Sequence, residues 1–186
     1  MRIISGQWRG RTLVAPKGDN TRPTADRTRE ALFSMLTSRV GSFDGMTVAD
    51  LFAGSGALGF EALSRGAASC IFVEQDRAAC DAIRANGEKL GLRPDIRQTS
   101  ALSLGPAPKP LDIVMMDPPY ETGAGSVALD KLARLGWIGP ATWVSIETSR
   151  REDVEVKGFT AETVRDFGKA RLHLLRAVPD DQATSA

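Results

Sequence analysis

The stretch "DLFAGSGALG", Asp50 to Gly59, joins two segments of different hydrophobic period. Before it, Val48 to Phe52 reads as a short buried strand. After it, Ala57 to Arg65 reads as a helix, with Gly66 as the residue that ends it. Gly54, Gly56 and Gly59 form a G-x-G-x-x-G pattern at the junction. Glycines there let the backbone turn sharply and approach a ligand closely. The pattern alone does not separate a dinucleotide from another adenosine-containing cofactor.

Outward from this junction, strands and helices alternate. Ser69 to Glu74 reads as a strand. Arg77 to Leu90 reads as a helix with Asp76 as its N-cap and Gly91 past its end. Ile96 to Thr99 and Leu111 to Met116 are predicted strands, Gly125 to Leu135 a helix, and Thr142 to Glu147 a strand. This alternation predicts a parallel, doubly wound α/β sheet. Glu162–Phe167 and Arg171–Ala177 are joined only by Gly168-Lys169, so they must be antiparallel to each other. Upstream, Arg2 to Ala15 reads as a β-hairpin with Gly10 in its turn, and Pro16 to Pro23 as a polar loop. Thr24 is placed as the cap of a helix that runs to about Arg39. The division that follows is a basic extension over 1–40, a main domain over 41–178 and a frayed tail over 179–186.

The 186 residues suit one domain with a small appendage. A hydrophobic fraction of 42% and a charged fraction of 25% are those of a soluble globular chain. Cys70 and Cys80 have no metal or redox spacing, which fits a reduced compartment. Arg2, Arg9 and Arg11 interrupt any apolar leader, and no apolar run approaches the ~20 residues of a span. A cytoplasmic protein without membrane contact is expected. The net charge of +1 hides an asymmetry: residues 1–40 hold eight Lys/Arg against three Asp/Glu, and the remainder carries a net −4. A basic arm on a mildly acidic body suggests a polyanion met by one end of the molecule.

"DPPY", Asp117 to Tyr120, follows the apolar run Ile113 to Met116. Neither Pro118 nor Pro119 can donate a backbone hydrogen bond, and both have a fixed φ. The chain must leave the sheet as a stiff loop carrying a carboxylate, acceptor carbonyls and one ring. Such a loop is either an ordinary turn with a surface Tyr or a holder for something flat with donors on its edge. The Gly-rich turn, Glu74 and this loop all stand at carboxyl ends of predicted parallel strands, where open α/β sheets bind ligands. Glu74 lies eighteen residues after Gly56, where a carboxylate can accept both hydroxyls of a ribose. Asp76 is the rival, but the next helix needs it as a cap.

With these residues in view, the chain resembles the class I S-adenosylmethionine-dependent methyltransferases, which combine D-x-F-x-G-S-G with [DN]-P-P-[YF]. More narrowly, it resembles the bacterial 16S rRNA guanine-N2 methyltransferases that modify guanine 966 of the small ribosomal subunit. The resemblance runs through "RIISGQWRGRTL" (Arg2–Leu13), "RPTADRTREALF" (Arg22–Phe33), "DLFAGSGALGFEALSRGA" (Asp50–Ala67), "VEQD" (Val73–Asp76) and "DPPY". It implies a Rossmann-like, mostly parallel seven-stranded sheet with helices on both faces and an antiparallel C-terminal strand pair. It implies S-adenosylmethionine held by Asp50, Phe52, Ala53, Gly54, Ser55, Gly56, Glu74 and Gln75. Many class I enzymes end the third strand with an acid, whereas this chain reads Thr99-Ser100-Ala101. Ser100 is either an uncharged contact to adenine, with the backbone N–H of Ala101, or a turn residue.

The catalytic set implied is Asp117, Pro118, Pro119 and Tyr120, acting on a base splayed out of an unpaired loop. The Asp117 carboxylate and Pro118 carbonyl accept the two amine hydrogens, and Tyr120 stacks on the base. Arg9, Arg11, Arg22 and Arg27 are the expected phosphate contacts. Arg29 either reaches the active-site wall or closes the arm by an ion pair. The partner implied is 16S rRNA in an assembled or partly assembled small subunit, met by a monomer. No metal-ligand cluster is visible, and His173 is read as structural. A DNA adenine-N6 or cytosine-N4 methyltransferase would share the DPPY chemistry but usually needs a target-recognition domain. A noncatalytic RNA-binding factor would not need Asp117 and Tyr120, and an NAD-binding module leaves DPPY unexplained.

Overall fold

The computed structural model describes residues 1–16 and 23–178, with the side chains of 23–25 outside that description. The predicted cap at Thr24, most of the Pro16–Pro23 loop and the 179–186 tail therefore fall wholly or partly outside the described residues. The chain forms two compact units, Met1–Ala101 and Leu102–Ala186, and contributes seven strands to a mixed sheet.

In the first unit the elements are α1 (Pro23–Val40), β1 (Thr47–Leu51), α2 (Ala57–Ser64), β2 (Ser69–Glu74), α3 (Arg77–Lys89) and β3 (Asp95–Gln98). The strands are parallel in the order β3-β2-β1, with Thr47 opposite Ser69 and Ile71 opposite Asp95. β1 is buried along almost its whole length, as a strand covered on both faces must be. Its one charged residue, Asp50, is 1% exposed. The Asp50 Oδ2 accepts the Gly59 N–H at 2.8 Å, so the carboxylate holds the start of α2. α2 lies hard against β2. A Cβ at Gly59 would sit 2.3 Å from the Phe72 ring and 2.6 Å from the Cys70 sulfur, so only glycine fits. Asp76 caps α3 as expected, its Oδ1 accepting the Ala79 N–H at 2.8 Å. Cys70 and Cys80 are both buried free thiols. Burial pushes the Cys70 thiol well up, which makes it inert.

The basic arm is the expected hairpin in short form, with Gly10 at φ +83° in its turn. Arg2 bridges Thr12 antiparallel, the Ile3 N–H donates to the Arg11 carbonyl, the Gly10 N–H to the Ile3 carbonyl and the Leu13 N–H to the Met1 carbonyl. Amides that face away from this pairing bond to α2 instead. The Ile4 and Ser5 N–H groups donate to the two oxygens of Glu61 at 2.8 and 3.0 Å. The Gln7 N–H donates to the Ser64 carbonyl and the Trp8 N–H to the Ser64 hydroxyl. Ile3 and Leu13 are buried at 2% and 3% exposure. The arm is therefore a docked part of the first unit.

In the second unit a 3-10 turn over residues 102–103, begun at Ala101, leads to β4 (Ile113–Met116), α4 (Ala124–Arg134), β5 (Trp143–Ser149), β6 (Phe159–Phe167) and β7 (Ala170–Ala177). β4 is entirely buried and runs parallel to β5. β7 is antiparallel to β5, with Ile146 opposite His173, and β6 is antiparallel to β7. The expected antiparallel pair is present, turned at Gly168 with φ +61°. β6 starts three residues earlier than the sequence suggests and carries a bulge between Ala161 and Thr163. His173 is 3% exposed, with Nε2 3.0 Å from the Thr148 hydroxyl, so it is a core residue.

Candidate active site

The carboxyl ends of β1, β2 and β3 bring three of the predicted segments together. The Ala53 N–H donates to the Val73 carbonyl, and the Thr99 N–H to the Glu74 carbonyl. The Phe52–Gly56 turn, Glu74-Gln75 and Ser100-Ala101 thus lie on adjacent strand ends. Phe52 holds φ +58°, outside the range a non-glycine residue prefers. Gly54 holds φ +55°, and a Cβ built there would meet nothing within 4 Å. Conformation rather than protein crowding demands glycine at 54, and the turn faces open space on that side. Gly56, at φ +79°, is crowded instead by Phe60 and Phe72. Ser55 is 5% exposed and Ala53 is 8% exposed.

Glu74 is half-buried, and it organises the turn directly. Its Oε2 accepts the Gly54 N–H at 2.9 Å and its Oε1 accepts the Asp76 N–H at 2.8 Å. Gln75 is exposed, Ser100 half-buried, and Ala101 buried at 3% exposure. Asp50, expected among the cofactor residues, is buried under the turn with its oxygen on Gly59, so it acts through the backbone it holds.

In the second unit, Asp117 is exposed, Pro118 buried, Pro119 exposed and Tyr120 44% exposed. Pro118 anchors the loop: its ring lies 3.2 Å from where a Cβ of Gly125 would stand. The Tyr120 hydroxyl donates to Glu147 Oε1 at 2.5 Å. Burial pushes the Glu147 carboxyl above the ordinary carboxylate range, and the Tyr120 hydrogen bond draws it partly back. Past the prolines, Glu121 holds φ +59°. The Glu152 carboxylate accepts the Glu121 N–H at 2.7 Å and the Gly123 N–H at 3.0 Å. The Thr122 hydroxyl donates to the Pro119 carbonyl at 2.7 Å.

Of the predicted phosphate contacts, Arg9, Arg11 and Arg27 are exposed, and Arg22 lies outside the described residues. Arg29 is 6% exposed. It donates from Nη2 to the Arg2 carbonyl and to Asp26 Oδ1, which is the arm-closing alternative. Burial lowers its pKa, with Asp26 and Glu61 opposing. Sequence reasoning missed Glu147, Glu152, Glu61 and Asn86. Glu147 was within reach of the rule that selected Glu74, an acid near the end of a strand. Glu152 and Asn86 carry no local signal.

The chain belongs to the family described as "Conserved hypothetical protein 95", whose model matches residues 1–176. It is 38% identical over 150 residues to "Ribosomal RNA small subunit methyltransferase D" of Escherichia coli (strain K12), spanning 80% of this chain and 74% of that protein. The protein of the same name in Haemophilus influenzae is 35% identical over 156 residues, spanning 81% of this chain and 79% of that one. The solved structure of yhhF from Escherichia coli superposes with a TM-score of 0.83 at 34% identity, covering 95% of this chain and 97% of that chain.

Proposed function

With that family membership as premise, we propose that this chain transfers a methyl group from S-adenosylmethionine to the exocyclic N2 of a guanine in 16S rRNA. The resemblance of the arm and α1 segments makes guanine 966 the target. The observation that carries the reading is the loop after β4. A fully buried strand delivers an exposed carboxylate and an exposed ring whose hydroxyl is tied to Glu147.

The residues of the first unit fit the cofactor. The turn at Gly54 is open on its Cβ side, and Glu74 stands beside it. A carboxylate has about four lone-pair sites, so Glu74 can hold two amides and still accept two ribose hydroxyls. Phe52, Ala53, Gly54, Ser55, Gly56, Glu74, Gln75, Ser100 and Ala101 form the holding set, with Asp50 supporting it from below. When bound, S-adenosylmethionine supplies an electrophilic methyl group.

The second unit handles the acceptor. The N2 lone pair of guanine is delocalised into the ring, so the amine is a poor nucleophile. The Asp117 carboxylate and the Pro118 carbonyl each accept one of its hydrogens. That draws the nitrogen towards sp³ and stabilises the positive charge it develops; one N2 proton is then shed to restore the neutral amine, with S-adenosylhomocysteine as the leaving group. Holding the amine in near-attack geometry contributes further. Stacking on Tyr120 adds ~1–3 kcal/mol by analogy with single-stranded sites. The tie from the Tyr120 hydroxyl to Glu147 limits how the ring can swing.

Arg9, Arg11, Arg22 and Arg27 contact phosphates, and the substrate is the small subunit, whole or partly assembled, met by a monomer in the cytoplasm. The deciding experiment incubates the protein with labelled S-adenosylmethionine and, in separate reactions, small subunits from cells lacking the enzyme or duplex DNA, then maps the label by mass spectrometry. Label in N2-methylguanine at a single position is expected. Label in DNA adenine or cytosine, or none in rRNA, would overturn the reading. Replacing Arg9 and Arg11 by Gln should flatten the salt dependence of substrate binding by roughly 0.7–0.9 log units of slope for each phosphate left unneutralised. Cofactor affinity, measured alongside, should stay unchanged.

A further inference from the structure

Asn86 lies on α3 at 0% exposure, and its side chain joins two segments far from it in sequence. Its Oδ1 accepts the Val14 N–H at 2.7 Å. Its Nδ2 donates to the Val14 carbonyl at 2.9 Å and to the Ser55 carbonyl at 3.0 Å. Val14 belongs to the basic arm, and Ser55 to the glycine-rich turn. One backbone N–H and two carbonyls face this amide, which fixes its orientation. A second contact runs the same way: the Ser55 hydroxyl donates to the Met1 sulfur at 3.5 Å. A separate anchor of the arm, Glu61, accepts from Ile4, Ser5 and Arg65, so it ties the arm to α2.

We propose that Asn86 is a positioning residue that makes the arm part of the support of the cofactor turn, so that cofactor occupancy and arm order are coupled. The proposal rests on the reading of the turn as the S-adenosylmethionine site. The physical basis is that a buried amide cannot give up one bond without leaving polar groups unsatisfied. A ligand that holds the turn at Ser55 therefore also restricts Asn86, and Asn86 restricts Val14. Coupling of this kind is reciprocal, so a substrate that orders the arm should tighten cofactor binding by the same factor.

Amide hydrogen exchange on the full chain, with and without S-adenosylhomocysteine as probe, tests the proposal. The probe should slow exchange at Val14 by roughly fivefold or more, the lower end of ordinary coupling. In Asn86→Ala this slowing should vanish. In Glu61→Gln, Ile4 and Ser5 should exchange faster while the slowing at Val14 persists. A simple gluing role for Asn86 would make the two variants behave alike, and that result would overturn the proposal. So would slowing retained in Asn86→Ala, or a bound probe that leaves Val14 unchanged in the unaltered protein. If Asn86→Ala fails to fold, the unaltered protein and Glu61→Gln still decide. Failure of the probe to bind at all would overturn the functional reading, and the coupling with it.

Discussion

The turn after β1 and the loop after β4 solve one problem with opposite residues. Each leaves a buried strand. Each holds one non-glycine residue at positive φ, Phe52 at +58° and Glu121 at +59°. Each is braced by a carboxylate that accepts backbone N–H groups: Glu74 takes Gly54 of the turn together with Asp76 beyond β2, and Glu152 takes Glu121 and Gly123 of the loop. After Phe52 the turn has Gly54-Ser55-Gly56, and before Glu121 the loop has Pro118-Pro119. Glycine accepts a sharp turn and lets the backbone come close to a ligand. Proline removes donors, fixes φ and leaves acceptors. A turn without side chains at 54 and 56 suits a cofactor approached by backbone. An acceptor-rich loop suits an amine whose hydrogens must leave their partners in water and find new ones.

The comparison breaks most sharply at Asp117. Asp117→Ala should lower methyl transfer by about 10²–10³-fold, the scale of losing one transition-state hydrogen-bonding group. Cofactor affinity should be nearly unchanged, as read by single-turnover transfer and calorimetry. Substantial residual turnover would remove the amine-holding role from the loop. Next in size, Glu74→Ala should weaken cofactor binding roughly ten- to a hundredfold, since a charge-assisted contact is worth ~1.5–3 kcal/mol. Turnover at saturating cofactor should change little. Unaltered affinity would reject the ribose assignment.

Glu152→Ala sharpens the comparison, because Glu152 braces the acceptor loop as Glu74 braces the turn. It should cost about 1 kcal/mol of loop order, or roughly fivefold in kcat, with cofactor affinity intact. Lost cofactor binding would show that the two carboxylates do not serve separate loops. The smallest effect concerns Tyr120→Phe. Glu147 already has a folded-state pKa above its unfolded value, so its favourable contribution is full below the unfolded pKa and is lost as pH rises through the folded one. Removing the Tyr120 hydrogen bond raises that folded pKa further. The fall in Tm on substitution should therefore be larger at pH 7 than at about pH 4. Equal falls at both pH values would mean that Glu147 is not charged against Tyr120.

Much of this was legible without coordinates. β2 runs from Ser69 to Glu74 as the apolar run predicts, and α3 begins at Arg77 behind its Asp76 cap. Boundaries moved where tertiary packing overrode the local pattern, as when β5 ran on to Ser149 through its pairing with β7. The arm shows what short-range rules leave out. Its hairpin pairing was legible, but Glu61 and Asn86 take the amides that the pairing leaves over, those of Ile4 and Val14, from 57 and 72 residues away.

By itself, the amino-acid sequence determined the order of strands and helices, the glycine-rich turn, the acid at the end of β2 and the loop Asp117–Tyr120. These follow from short-range rules: hydrophobic period, allowed φ, and which residues lack an N–H. Tertiary structure alone decided that Asp50 supports the turn from beneath, that Arg29 closes the arm, and that Glu147 and Glu152 hold the proline loop. Each of these roles depends on which buried donor meets which acceptor, and a buried polar group takes its partner from space, whatever the distance along the chain.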